Sequence, residues 1–107
     1  SAAVFAGIEN GISVTDAGGK IRMVNDAFCR IPGYAANELI GQRLSLLHSG
    51  THGATFYKAM WKRIAESGSW QGEIWNRRKD GALVTEWLTI STVRDAGGRT
   101  TNYVGIY

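Results

Sequence analysis

The sequence predicts an α+β fold in which helices cover one face of a five-stranded antiparallel sheet. Two short segments of alternating polarity near the N-terminus are joined by a turn at residues 16–19, and two longer ones near the C-terminus are joined at Asp80-Gly81. One long amphipathic segment, Ala54–Ser67, lies between the hairpins. Antiparallel hairpins at both ends with helices between them are typical of this two-layer fold, and we expect a cavity between the layers.

The composition limits the class of protein. The 107 residues are 44% hydrophobic and 20% charged, which is typical of one globular domain. Because there is no apolar run of about 20 residues and no signal-peptide pattern, we expect a cytoplasmic domain without membrane contact. The net charge of +3 comes mostly from scattered basic residues, so a nucleic-acid partner is not expected. The single Cys29 excludes an internal disulfide and is interpreted as a small core residue.

The first elements of the chain are short. Residues 2–10 carry apolar side chains at helical spacing and predict a helical turn. Residues 12–15 alternate between apolar and polar side chains, and residues 21–24 continue beyond a glycine turn. These two segments predict the first hairpin.

A series of short helical segments follows this hairpin. Asn25 or Asp26 is suited to cap a short helix, which Pro32 helps to end, and residues 37–40 predict another helix. Residues 41–53 show no sustained period. We therefore expect this connection to be irregular and to cross the mouth of the cavity.

The second half of the chain is more strongly patterned. Apolar residues four apart predict the helix Ala54–Ser67, and Gly68 is suited to end it. Three strands are then expected, the first beginning at Trp70, the second over residues 83–93 and the third over residues 100–107.

One face of the strand that begins at Trp70 is suited to bind a ligand. Trp70, Gly72 and Asn76 alternate onto that face, where an aromatic can cover a ring, a glycine leaves room for one, and an amide offers a donor and an acceptor. Trp70 and Asn76 have a structural alternative, in which the tryptophan packs on the core and the amide satisfies backbone groups. Glu86 points to the same side from the next strand, where it either faces a ligand or pairs with an Arg or Lys.

Two tryptophans fall on the opposite face of the sheet. Trp75 and Trp87 would be exposed to solvent in a lone monomer. Exposed aromatic patches of this kind usually cover a partner surface, so we expect a homodimer through this face or packing by flanking helices.

Several separated motifs resemble one family. The segments GISVTDAGGKIRMVNDAFCRIPGYAANELIGQ, WKRIAESGSWQGEIWNRRKDG and LTISTVRDAGGRTTNYVGIY closely resemble a bacterial PAS domain. The resemblance implies the sheet order 2-1-5-4-3 and a single sensory domain over residues 1–107, excised from a larger signalling protein. In such proteins the output domain is commonly a histidine kinase or a cyclic-di-GMP enzyme.

The pattern WxGxxxNRRKxG resembles the FAD-binding PAS domains of aerotaxis receptors and nitrogen-fixation regulators. The resemblance implies that Trp70 and Asn76 approach the flavin, and the asparagine is shared with light-oxygen-voltage photoreceptor domains. The same segment is also frequent in PAS domains without a known cofactor. Photoreceptors carry a reactive cysteine in a GxNCRFLQ segment, where this chain reads GQRLSLLH with Leu44 at that position, so flavin-cysteine chemistry is not expected.

The histidines offer further candidates. His48 lies at the expected cavity mouth, close to where flavin-binding PAS domains contact cofactor phosphate, or it is a neutral surface histidine. His52 could serve as an axial haem ligand, although Trp61 and Trp70 would tend to fill a haem pocket, and Thr51, His52 or a neighbour could instead cap the long helix. The candidate cofactor-binding set is Trp70, Asn76, His48, Glu86 and Trp61.

No enzymatic motif is present, since the sequence lacks a Walker loop, an HExxH or CxxC metal pattern and a nucleophile elbow. The first hypothesis is an FAD redox or oxygen sensor that controls an output domain. The second is a cofactor-free interaction and dimerisation module, and the third is a sensor of haem or of a small metabolite. The flavin hypothesis requires a void beside Trp70, whereas the cofactor-free hypothesis predicts that Met60, Trp61 and Trp70 fill it.

Overall fold

The computed structural model of the protein describes residues 2–107. The helices are α1 (Ala2–Gly7), α2 (Asp26–Arg30), α3 (Ala36–Leu39) and α4 (Ala54–Ser67), with a single 3-10 turn at Leu44–Leu47. The strands are β1 (Ile12–Asp16), β2 (Ile21–Val24), β3 (Ser69–Arg77), β4 (Leu83–Arg94) and β5 (Thr100–Ile106).

The five strands form one antiparallel sheet in the order β2-β1-β5-β4-β3. This confirms the predicted fold and sheet order. The first and last strands are neighbours, and Val14 of β1 lies opposite Val104 of β5. No helix within residues 2–107 is long and apolar enough to cross a membrane.

Asn25 determines where α2 begins. Its Oδ1 accepts the backbone N–H of Phe28 at 2.9 Å and that of Ile12 at 2.9 Å, and its Nδ2 donates to the carbonyl of Asn10 at 2.8 Å. Of the two predicted caps, Asn25 rather than Asp26 is therefore used. This side chain is almost completely buried, and its hydrogen bonds join α2 to the start of β1.

Helix α4 has the predicted bounds. Of Thr51, His52 and their neighbours, which are expected to supply the cap, Gly53 is the N-cap, and no side chain of the described residues bonds there. Gly68 ends the helix with φ of +84°, a left-handed conformation that glycine adopts without steric cost.

The apolar core has two parts. Met60 and Ile64 of α4 pack on the inner side chains of β3 and β4, whereas Phe28 of α2 belongs to a second cluster with Ile21. The ring of Tyr107 packs against both clusters. Space remains between them, and this space is the candidate site.

Candidate functional site

A cavity of about 340 Å³ lies between α4, the 3-10 turn and the inner face of the sheet. Its volume falls near the lower end of the roughly 300–1,000 Å³ that is usual for small-molecule sites. Its walls are largely apolar, with Met60, Ile74, Leu88 and Ile90 among them. This confirms the expectation of a cavity between the two layers of the fold.

The floor of the cavity is built by the two central strands. A side chain at Gly105 of β5 would begin only 2.8 Å from the Ser13 Oγ of β1, so only glycine leaves this part open. The Ser13 hydroxyl is fully buried and makes no hydrogen bond of good geometry among residues 2–107, although it lies close enough to the Tyr107 hydroxyl to oppose the rise that burial causes in the pKa of that phenol. An unsatisfied buried hydroxyl is costly, and a bound ligand could satisfy it.

Asn76 and Glu86 are hydrogen-bonded at one wall of the cavity. Asn76 is 5% exposed and lines the cavity, and its Nδ2 donates to the Glu86 Oε1 at 3.2 Å. The partner of Glu86 is therefore an amide, and the expected alternative of an Arg or Lys partner is wrong. The other carboxyl oxygen, Oε2, has no hydrogen-bond partner in the described chain. Burial raises the pKa of the Glu86 carboxyl, and the Asn76 hydrogen bond opposes that rise.

Tyr57 of α4 faces the cavity from the opposite layer. Its hydroxyl is buried, makes no hydrogen bond within the described residues, and has a pKa that burial raises. The His48 ring stacks on the Tyr57 ring with 3.9 Å between centroids. His48 is exposed at the rim, where partial desolvation lowers its imidazole pKa, with a smaller contribution from His52. The two residues form one side of the cavity mouth.

The segment from His48 to His52 crosses the edge of β3. The backbones of His48 and Asn76 pair as an antiparallel bridge. The Trp75 N–H donates to the His52 Nε2 at 2.9 Å, and the Ser49 Oγ donates to the Trp75 carbonyl at 2.8 Å. These bonds use side chains to satisfy backbone groups of an edge strand.

His52 is consequently not placed as a haem ligand. Its Nε2 is occupied by a backbone amide, and its ring stacks on Phe56 at 4.0 Å, outside the cavity lining. Within residues 2–107, no group of three or more His, Cys, Asp or Glu residues is arranged to hold a metal ion.

Trp70 lies apart from the cavity. Its ring covers Gly72, where an added Cβ would come within 2.8 Å of the indole, and it packs edge to face on Phe56. The room left by Gly72 is thus taken by the chain's own tryptophan, whereas the sequence suggested room for a ligand ring. Trp70 instead borders a second space of about 630 Å³ between α4 and β3, lined also by Arg63 and Gln71. A void therefore lies beside Trp70 as expected, but it is separate from the cavity that Asn76 lines.

Trp61 is one of the candidate residues that lie at the cavity. It is 42% exposed, lines the cavity from α4 and makes an edge contact with Tyr103 of β5, with 5.1 Å between centroids. Of the five candidate residues, the structure brings Trp61, Asn76 and His48 to the cavity and holds Glu86 against Asn76.

Sequence reasoning missed several residues that line the cavity, namely Ser13, Arg43, Tyr57, Gly105 and Tyr107. Gly105 and Tyr107 could have been found from strand alternation, since both occupy inward positions. Ser13 could not, because the apolar residues Ile12 and Val14 would be expected to face inward, whereas the structure buries the polar positions of β1. Arg43 had no signal in the sequence. Its guanidinium donates to the Gly18 carbonyl at the rim, and it forms no ion pair with any described residue.

The outer face of the sheet carries an apolar surface. Trp75 is 37% exposed and Trp87 is 60% exposed, which confirms their predicted orientation. Aliphatic side chains continue this surface, and those of Met23, Val93 and Ile106 are also exposed.

Comparison with known proteins identifies the family. The PAS fold model matches residues 2–107. Over 95 residues the chain is 34% identical to a nitrogen fixation regulatory protein of Klebsiella oxytoca, an alignment covering 89% of this chain and 19% of that protein. It is 31% identical over 70 residues to the aerotaxis receptor of Escherichia coli strain K12, covering 65% of this chain and 14% of the receptor.

The fold comparison agrees with the sequence comparison. The PAS domain of a protein from Colwellia psychrerythraea matches with a TM-score of 0.90 and 25% identity, covering 98% of this chain and 89% of that one. The chain spans less than a fifth of the length of either curated relative. The resemblance to nitrogen-fixation regulators and aerotaxis receptors is confirmed, and the chain belongs to the PAS family.

Proposed function

We propose that this chain is a cytoplasmic sensory domain of a larger bacterial signalling protein, without catalytic activity of its own. Its cavity would bind the ring system of FAD and report redox state or oxygen to an attached output domain. The observation that carries the proposal is a cavity lined by the Asn76 amide of β3 and by the hydroxyls of Ser13 and Tyr57, which make no hydrogen bond of good geometry within residues 2–107. Buried polar groups of this kind are complementary to a ligand with polar edges.

The cavity suits a flat, mostly apolar ring with hydrogen-bonding groups at its edge. Ile74, Leu88 and Ile90 offer the apolar surface, and Asn76 and Ser13 offer polar groups. The volume of about 340 Å³ accommodates a ring system, and the rest of a dinucleotide would leave through the mouth. The motif from Trp70 to Gly81, similar to that of FAD-binding PAS domains, favours a flavin.

A bound flavin supplies electron transfer coupled to proton uptake at its ring nitrogens. Within this proposal, Asn76 and Ser13 would hold the polar edge of the ring, and Trp61 and Tyr57 would cover it from α4. Asn76 and Ser13 would adjust their hydrogen bonds to the protonation state of that edge. Because both residues lie on strands, the change in their hydrogen bonds would reach the outer face of the sheet. Trp70 would have a supporting role, because it packs on Phe56 of α4.

The test is an absorption spectrum of freshly purified protein, repeated after addition of excess FAD and removal of the unbound fraction. We expect a retained flavin spectrum that is lost in Asn76→Ala and kept in Asn37→Ala, a control at an exposed position of α3. A featureless spectrum after reconstitution would reject the flavin proposal. A Soret band would replace it with a haem sensor.

The outer face supports a second proposal, a homodimer that operates with or without a cofactor. Trp87, Met23 and Ile106 expose apolar surface that α2, α3 and α4 do not cover, because those helices pack on the inner face. We expect Trp87→Ser to shift the protein toward monomer in sedimentation equilibrium. Lys58→Ser, an exposed change on α4, is the control, and a wild-type monomer at high concentration would reject this arrangement.

A further inference from the structure

We infer that Glu86 is a positioning residue that orients the Asn76 amide, so that Asn76 presents its carbonyl oxygen to the cavity and selects ligands that offer an N–H or O–H at this wall. The inference rests on the proposed ligand-binding function and specifies the ligand's chemistry.

The orientation follows from what a carboxyl group can accept. The Asn76 side chain carries one carbonyl oxygen and one NH₂ group, and which of them faces Glu86 depends on their partners. An ionised Glu86 carboxylate can only accept hydrogen bonds, so above the folded-state pKa of this group its Oε1 pairs with the Asn76 Nδ2 at 3.2 Å and would repel the Oδ1. The Oδ1 is therefore the acceptor that Asn76 can offer to a molecule in the cavity.

The strand register keeps the pair together. Ile74 lies opposite Glu86, and Asn76 lies opposite Val84, so Asn76 and Glu86 are diagonal neighbours on the inner face of β3 and β4. The backbone bridge between Asn76 and His48 holds the cavity end of β3 in place. A flip of the Asn76 amide would cost the Glu86 hydrogen bond and leave two oxygens facing each other in a half-buried site.

The ligand class follows from this orientation. A heterocycle with a lactam or imide N–H at its edge, as in the pyrimidine part of a flavin, donates to the Asn76 Oδ1. A ligand that presents only carbonyl or carboxylate oxygens at this wall would meet an acceptor without a donor. Sites built around one hydrogen bond discriminate strongly against analogues that lack the matching group.

The binding test compares lumiflavin with 3-methyllumiflavin, in which a methyl group replaces the ring N–H. We expect wild type to bind lumiflavin about tenfold more tightly. Glu86→Gln keeps a carbonyl acceptor but adds an NH₂ donor that can face the Asn76 Oδ1, so it should preserve the ratio only in part. Glu86→Met removes the acceptor, frees the amide to flip and should reduce the ratio by about threefold or more. If lumiflavin binds and the ratio in Glu86→Met equals that of wild type, the inference is wrong.

A second measurement decides the inference without any ligand. In ¹⁵N-correlated NMR spectra of the free protein, one Asn76 side-chain proton should lie downfield of those of the exposed Asn37. That displacement should persist in part in Glu86→Gln and disappear in Glu86→Met, and identical Asn76 signals in all three proteins would overturn the orienting role. Failure of lumiflavin to bind wild type would count against the flavin proposal, while the NMR result still decides the role of Glu86.

Discussion

The two ends of the inner sheet face differ in how their space is used. At the end formed by Trp70 and Gly72, the tryptophan ring occupies the space above the glycine and packs on Phe56. At the end formed by Ser13 and Gly105, the Ser13 Oγ and the Tyr107 ring approach the glycine just as closely, but these groups line the cavity. Glycine thus permits close packing at both ends. What differs is that Trp70 and Gly72 lie outside the cavity, whereas Ser13, Gly105 and Tyr107 form part of its wall.

The substitution with the largest expected effect removes the Trp70 side chain, which packs over Gly72. Trp70→Ala deletes a large aromatic contact and should lower the free energy of unfolding by about 3 kcal/mol, measured by urea denaturation. Ligand affinity of the folded variant should change less than about twofold, because Trp70 does not line the cavity. A large loss of affinity without loss of stability would make Trp70 a binding residue.

Filling the cavity at Gly105 should affect ligand affinity more than the stability of the protein. Gly105→Val places side-chain atoms against the Ser13 Oγ, where even a Cβ would lie at 2.8 Å. We expect ligand affinity measured by calorimetry to fall about 30-fold, equivalent to about 2 kcal/mol, because cavity volume is lost. Gly97→Ala, in the exposed turn between β4 and β5, is the control with a glycine of ordinary φ. Unchanged affinity in Gly105→Val would place the site elsewhere.

The buried Ser13 hydroxyl distinguishes the cavity wall from the region around Trp70. Ser13→Ala removes a buried group without a partner in the described chain, so thermal unfolding of the ligand-free protein should show a gain of about 1 kcal/mol. The same change should weaken ligand binding severalfold, because the ligand loses a hydrogen bond. A destabilised ligand-free variant would mean that the Ser13 hydroxyl already has a partner, such as the neighbouring Tyr107 hydroxyl.

The smallest expected effect concerns the dependence of stability on pH. Burial raises the Glu86 pKa above its ordinary value of 4.5, so the folded state holds this proton more tightly than the unfolded state. Its contribution is therefore fully present below about pH 4.5 and is lost as pH rises through the folded-state pKa. The free energy of unfolding of wild type should fall relative to that of Glu86→Gln over this range. A difference that stays constant with pH would contradict the raised pKa.

Much of the fold could be predicted because its signals are local. The bounds of α4 followed from apolar spacing and a terminal glycine, and the inward set of β3 followed from alternation. The family resemblance supplied the sheet order, which local pattern does not determine. The outward direction of Trp75 and Trp87 needed only the strand period.

The site was harder to predict because its parts come from distant segments. Ser13, Gly105 and Tyr57 meet only after β1 pairs with β5 and α4 packs above them. Alternation placed Trp70 on the correct face, but it could not show that its ring would lie over Gly72, which depends on the side-chain rotamer. The role of His52 was also hidden from local pattern, because its hydrogen bond to the Trp75 backbone joins residues 23 positions apart.

The pairing of β1 with β5 also has a consequence for biosynthesis. The sheet is completed at its centre by the last of the five strands to be translated, so β1 has only β2 as a partner until Thr100–Ile106 has left the ribosome. Contacts between the two ends of the chain slow folding, because a long loop must close before they form. A nascent chain stalled before residue 100 should therefore remain protease-sensitive, and a chaperone would have its longest opportunity to bind in that interval.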